Sequence, residues 1–132
     1  NYGPDHAIGS AHIEVDSNMS AYDIHVLSKQ IQRKIVTKYG VFLTIGIYAV
    51  DQQSDALGEM QNSIRTLVMQ FDGILQVHGI LIDEPLKLIS FDAVVDFKVV
   101  DKVALRQQLV DRIRTELGDY TVEINFDIDY SD

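Results

Sequence analysis

Three side chains in the second half of the chain have the types and spacing that could bind a divalent cation. His78, Asp92 and Asp127 each lie in a different strand-like run. The alternation of side chains along a strand places all three on one face of a sheet. Imidazole nitrogen with carboxylate oxygen is a donor set that Zn²⁺ and Mn²⁺ both accept, and the oxygen-rich balance suits Mn²⁺ somewhat better. An exposed sheet face carries polar residues in any case, so ordinary surface residues are the alternative interpretation.

Two histidines in the first half form a second candidate group. His12 lies in an alternating, strand-like run, and His25 lies near the start of a helix-like run, beside Ile24 and Leu27. They are either ligands or surface histidines near an interface. The chain has no cysteine, which excludes disulfides, thiolate catalysis and cysteine zinc sites. Any transition-metal site must therefore use His, Asp and Glu.

Strand-like and helix-like runs alternate along the chain and would position these residues. In the first part, the alternation of residues 9–16 predicts a strand, Ser20 is a plausible cap for a helix ending near Lys38, and the β-rich residues 41–50 predict a second strand. Residues 51–55 are interpreted as a connector. The second part then predicts a helix over about 54–70, strands over 74–82 and 86–99, a helix capped by Asp101, and a last strand over 120–129.

Each predicted helix has an apolar stripe at helical spacing, which is typical of a core-facing surface. The stripes are Ile24, Leu27, Ile31 and Ile35 in the first helix, Leu57, Met60, Ile64, Leu67 and Phe71 in the second, and Leu105, Leu109, Ile113 and Leu117 in the third.

The order strand–helix–strand occurs twice in the sequence. His12 corresponds to Asp92 at an offset of 80, and Ile45 corresponds to Ile124 at an offset of 79. This pattern predicts a duplicated domain with a partial first repeat at residues 1–51 and a complete second repeat, helix–strand–strand–helix–strand, at residues 54–132. Each repeat would be an α+β, ferredoxin-like two-layer sandwich. A strand–helix–strand piece with an unpaired edge invites intermolecular pairing, so we expect a homodimer.

Charge and composition narrow the class of function. The net charge is −9, which argues against nucleic acid and anionic membrane surfaces as partners. Residues 1–51 contain four Lys/Arg and five Asp/Glu, whereas residues 52–132 contain seven and fifteen, so the second part is the one that would attract cations. No apolar run reaches eighteen residues, which predicts no membrane-spanning helix. Phosphate-loop, nucleophile-elbow and HExxH motifs are absent, so we expect a binding module rather than an enzyme.

The stretches "NYGP", "SAHIEVDSNMSAYDIHVLSKQIQRKI" and "VFLTIGIYAVD" resemble the cytoplasmic C-terminal domain of cation diffusion facilitator transporters. These membrane proteins exchange protons for Zn²⁺, Mn²⁺ or related ions. The family's domain has the order helix–strand–strand–helix–strand, as in the second repeat. The resemblance implies a tandem, soluble domain on the cytoplasmic side of the cell membrane, linked to a transmembrane transporter domain that is absent from this chain. Metal bound by such domains favours transport through the packing of two domains in a dimer.

The resemblance also assigns ligand positions. His12 matches the histidine of the family's "HxE" strand and His25 matches the helix histidine, while Gly46 and Tyr48 stand at the His and Asp positions of its "HxDP" motif. The first repeat therefore keeps at most half a site. In the second repeat, the matching positions are held by His78, Asp92, Leu105, Asn125 and Asp127.

This ligand set implies that the second repeat senses Zn²⁺ or Mn²⁺ through His78, Asp92 and Asp127, with Asn125 as a further donor. A metal-independent dimerisation scaffold for the same transporter is the alternative, and the altered Gly46 and Tyr48 positions favour it for the first repeat. A ferredoxin-like domain regulated by a small organic ligand is a third possibility, although no pocket motif argues for it.

Overall fold

The computed structural model describes residues 7–51 and 55–129. These residues form three helices and two small sheets, which is an α+β architecture. The chain separates into two compact units, unit 1 (residues 1–51) and unit 2 (residues 52–132). Within the described ranges, no helix is both long enough and apolar enough to cross a membrane.

Unit 1 is a strand–helix–strand piece with a two-stranded parallel sheet. It consists of β1 (Ala7–Asp16), α1 (Ala21–Tyr39) and β2 (Val41–Val50). The helix begins at Ser20, whose side chain accepts a hydrogen bond from the Asp23 amide at 3.1 Å, as the sequence predicts. It ends at Gly40, which adopts the left-handed conformation that favours glycine at this position.

Unit 2 adds a helix and a strand before a second strand–helix–strand piece. Its elements are α2 (Ala56–Met69), β3 (Ile74–Asp83), β4 (Leu88–Asp96), α3 (Lys102–Leu117) and β5 (Thr121–Asp129). The sheet order is β3–β4–β5, with β3 antiparallel and β5 parallel to the central β4. β4 is shorter than the predicted 86–99 because the chain turns after Asp96, whose backbone carbonyl accepts a hydrogen bond from Val99.

Hydrophobic burial differs sharply between the units. The main core lies in unit 2, where α2 and α3 contribute Ile64, Leu67, Val68, Leu105, Leu109 and Ile113, and the strands contribute Ile74, Val77, Ile80, Ile89, Phe91, Ala93, Val95 and Ile124. In unit 1, Val15 is the one buried apolar residue among those described, and α1 buries none.

Two predictions about the apolar stripes were wrong. The α1 stripe is only partly buried, because two strands are too narrow a sheet to enclose the face of a helix. Leu57, predicted to be in the core, is 43% exposed. It lies in the first turns of α2, whereas the apolar residues that this helix buries come from its second half.

The strand–helix–strand pieces of the two units have the same register and the same first turn. His12 pairs with Gly46 in unit 1, and Asp92 pairs with Asn125 in unit 2. Asp16, at the end of β1, accepts a hydrogen bond from the Asn18 amide at 2.8 Å, and Asp96, at the end of β4, accepts one from the Lys98 amide at 2.9 Å. Both are local turns in which an Asp side chain replaces a backbone acceptor.

Candidate functional site

Two of the three predicted cation ligands in unit 2 lie directly opposite each other. His78 of β3 pairs with Asp92 of β4, and Asp92 pairs in turn with Asn125 of β5. These three residues form one row across the sheet, on the face that points away from the core. Asp127 lies two residues further along β5, opposite Val94. The face is therefore as predicted from the alternation, but Asp127 is one row away from His78.

His78 makes a hydrogen bond that the sequence did not suggest. Its Nε2 lies 2.7 Å from Oε1 of Gln76, which neighbours it on the same face of β3. If the amide oxygen is the acceptor, Nε2 carries the proton and donates. A cation approaching Nε2 would then have to displace both this proton and the Gln76 amide, so Gln76 competes with a metal at this nitrogen.

The described residues contain no group of three or more His, Asp and Glu side chains close enough to hold a metal ion together. Asn125 reaches instead toward Asp127, with Nδ2 at 3.4 Å from Oδ1, which is a weak hydrogen bond. The side chains of Glu123, Asn125 and Asp127 are exposed. This face consequently offers an opposed His–Asp pair and exposed carboxylates that attract cations, but not a closed coordination shell.

His12 has a defined place on the sheet of unit 1. Its ring stacks on Tyr48 with centroids 4.5 Å apart and planes inclined by 12°. It also covers Gly46, where a Cβ atom would come within 2.5 Å of the imidazole. Gly46 and Tyr48 thus both contact the His12 ring.

His25 has different surroundings from His12. It is exposed on α1 and lines a surface groove with Lys29, Arg33 and Lys34. Three neighbouring cations disfavour a metal ion at this histidine. His25 lies as many residues after the helix cap Ser20 as the exposed Arg106 lies after the helix cap Asp101, and the β4–α3 connection is one residue longer than the β1–α1 connection.

A polar cluster at the other end of the unit 2 sheet was not predicted. Glu84, in the β3–β4 turn, pairs with Lys87 at 2.5 Å and accepts a hydrogen bond from the Tyr120 hydroxyl at 2.7 Å. The Lys87 ammonium also lies 5.0 Å from the centre of the Tyr120 ring. The cluster ties the turn to the residue that precedes β5. Its only sequence signal is the turn-forming "DEP" that starts at Asp83.

This cluster predicts a stability difference that depends on pH. The Lys87 and Tyr120 hydrogen bonds lower the pKa of Glu84 from its ordinary value of 4.5. A carboxyl whose folded-state pKa is lowered stabilises the fold above the unfolded-state pKa and stops doing so as the pH falls through the folded-state pKa. Glu84→Gln should therefore reduce stability at pH 7 but match the unmodified protein below the Glu84 pKa.

The measurement is the urea midpoint of both proteins between pH 7 and pH 2. Glu116→Gln, which alters an exposed Arg112 ion pair on α3, is the control for loss of one surface carboxylate. An equal difference between Glu84→Gln and the unmodified protein at every pH would contradict the assignment.

Comparisons with protein-family models, with curated proteins and with solved structures found no match for this chain.

Proposed function

We propose that this chain is the tandem regulatory and dimerisation domain of a proton-coupled efflux transporter of the cation diffusion facilitator type, on the cytoplasmic side of the cell membrane. It would respond to Zn²⁺ or Mn²⁺ and act as a binding module rather than an enzyme. The observation that carries the proposal is the shared register of the two strand–helix–strand pieces, in which His12–Gly46 and Asp92–Asn125 are equivalent pairs. The sequence offset of 80 relates His12 to Asp92, and the offset of 79 relates Gly46 to Asn125.

The equivalent turns support a duplicated, ferredoxin-like domain. An Asp ends the first strand of each piece and caps the same kind of turn, and a Ser20 or Asp101 side chain then caps the helix. Register and turn geometry are set by different residues, and both agree at the alignment that relates His12 to Asp92, whereas the helix caps Ser20 and Asp101 are displaced by one residue. Unit 2 would be the complete copy, and unit 1 a copy without the equivalents of α2 and β3.

The cation would bind on the open sheet face of unit 2. His78 and Asp92 supply the first two ligands as opposed neighbours, and Asp127 or Asn125 joins by side-chain rotation from β5. Glu123 and the net excess of carboxylates in residues 52–132 provide the attractive field. Binding would neutralise repelling carboxylates on this face, and so favour a packing of domains that their charge otherwise opposes.

Calorimetric titration of metal-stripped protein with Mn²⁺ and with Zn²⁺, at near-physiological salt, tests this function. We expect saturable binding of about one ion per chain, with at least about a tenfold loss of affinity in Asp92→Asn and in Asp127→Ala. Asp111→Ala removes one carboxylate from the exposed face of α3 and should bind as the unmodified protein does. Unchanged affinity in both site variants would contradict the site, and circular dichroism would show that each variant is folded.

Replacing Gln76 should strengthen metal binding, whereas replacing Asp92 or Asp127 should weaken it. Gln76→Ala removes the amide that occupies His78 Nε2, so the cation no longer has to displace a hydrogen bond of about 1 kcal/mol. We expect the metal dissociation constant to fall by about fivefold, measured by the same titration. Gln108→Ala, on the exposed side of α3, is the matched control. Weaker binding in Gln76→Ala would show that Gln76 is a ligand and not a competitor.

A metal-independent dimerisation scaffold for the same transporter is the second candidate. The lack of a three-ligand cluster among the described residues favours it. Light scattering with and without a chelator separates the two functions: a scaffold keeps the same mass in both conditions, whereas the cation-responsive domain changes its mass or shape when the metal is removed.

A further inference from the structure

β1 has an edge to which no strand is bonded within the described ranges. Among the described residues, the sheet of unit 1 contains β1 and β2, so every second residue of β1 points its backbone N–H and C=O groups away from β2. The equivalent strand of unit 2 is β4, and it holds β3 antiparallel on this same edge. The fold therefore has a position for an antiparallel strand beside β1.

In the other outer strands, backbone carbonyls accept hydrogen bonds from helix side chains. The carbonyl of Leu43 in β2 accepts a hydrogen bond from the Gln32 side chain at 2.8 Å. The carbonyl of Val77 in β3 accepts one from Arg65 at 2.7 Å, and that of Ile124 in β5 accepts one from Arg106. Helix side chains thus engage the backbone of each of these strands, which is a way of protecting sheet edges from further pairing.

An added strand would also supply packing that unit 1 lacks. Ala11, Ile13 and Val15 lie on the core-facing side of β1, and only Val15 is buried. A neighbouring strand with apolar residues at the same spacing would widen the sheet beneath α1. Its opposite face would have to tolerate His12 and Glu14, which are exposed.

We propose that β1 pairs antiparallel with β1 of a second molecule of this chain, about a two-fold axis at Ile13. This register places Ala11 against Val15 and keeps both apolar rows on the core-facing side. On the outer face, it places His12 against Glu14, and it does so twice by symmetry. The product is a continuous four-stranded sheet in the order β2–β1–β1–β2.

The charge distribution supports a second copy as the occupant. Two chains of net charge −9 repel each other, but residues 1–51 carry only a small share of that charge, with four Lys/Arg against five Asp/Glu. Pairing through β1 brings the molecules together at their least charged part. The inference deepens the dimerisation part of the proposed function and does not depend on the cation site.

Cysteine crosslinking tests the register, because the chain has no cysteine of its own. The variants His12→Cys and Glu14→Cys are oxidised separately and as a mixture, with a mass tag on one of them. The proposed axis brings position 12 next to position 14 of the second molecule, within disulfide reach, and leaves each position two residues from its own symmetry mate. We expect the mixed disulfide to form at least about tenfold faster than either self-disulfide. Thr44→Cys, exposed on β2, is the control and should crosslink slowly.

A charge exchange tests the same contact without oxidation. Glu14→Lys faces His12 of the second molecule and should raise the dimer dissociation constant at least about fivefold in sedimentation equilibrium. The double variant His12→Glu with Glu14→Lys should restore it. Faster self-disulfides than mixed ones, or a monomer at all concentrations, would overturn the proposal. All measurements are made in chelator, so loss of cation binding alone leaves these results unchanged.

Discussion

Replacing Leu109 with alanine is expected to lower the free energy of unfolding of unit 2 by about 3 kcal/mol. Leu109 has no exposed surface and lies on the face of α3 between Leu105 and Ile113, which are also buried. Truncation removes its transfer free energy and leaves a cavity between helix and sheet. Since a domain of this size has a stability of about 4 to 12 kcal/mol, the loss is a large fraction of the total.

Native-state hydrogen exchange of the β4 amides measures this change within unit 2 alone. Val103→Ala is the matched control, because it shortens an aliphatic side chain on the same helix at a position that is 79% exposed. It should change stability by less than about 0.5 kcal/mol. Equal exchange in the two variants would show that α3 does not pack on the sheet as described.

The order and type of the elements were predictable because their signals are local. The alternation of β1 and the β-rich composition of β2 predict strands, and Ser20 and Asp101 cap the helices that follow, as their side-chain hydrogen bonds show. Each of these signals involves residues within one turn or one strand of each other, so it can be recognised without knowledge of the fold.

The face of β3 was harder to predict because its alternation is interrupted. Its buried residues, Ile74, Val77 and Ile80, are spaced by three, since the register with β4 shifts twice. Gly79, with a positive φ of 64°, lies at the second shift and is its one sequence signal. Gln76 and His78 still share the outer face, but nothing in their spacing reveals the hydrogen bond between their side chains.

The burial of α1 could not be predicted from its own sequence. Its stripe of Ile24, Leu27, Ile31 and Ile35 has the same period as that of α3, yet the first is only partly buried and the second encloses Leu105, Leu109 and Ile113. The difference lies in the number of strands beneath each helix, which is a property of the sheet. A candidate site that needs residues from three strands cannot be predicted from the sequence of any one strand either, because the register between strands decides which side chains meet.

Gly73→Ala is expected to destabilise unit 2 by at least about 2 kcal/mol, through two separate effects. Gly73 connects α2 to β3 with a φ of 93°, a conformation that residues with a Cβ rarely adopt. A Cβ at this position would also overlap the Val99 side chain, which packs against the core. Because the Gly73 carbonyl accepts a hydrogen bond from Asp96 at 2.8 Å, a shift of the backbone to relieve the overlap would disturb the end of β4.

Three variants separate the two effects by urea unfolding. Gly73→Ala with Val99→Ala relieves the overlap but not the backbone strain, so it should cost less than the sum of the two single changes. Gly73→Asn should cause less backbone strain than Gly73→Ala, since Asn tolerates positive φ better than Ala does.

Gly46→Ala is the control in unit 1. The φ of Gly46 is not positive, and a Cβ at this position would contact the His12 ring, which can move. Gly46→Ala should lose the His12–Tyr48 stack and leave the hydrogen exchange of the β4 amides unchanged. Gly73→Ala should accelerate the exchange of the β4 amides. Equal exchange rates in the two variants would contradict the strained turn at Gly73.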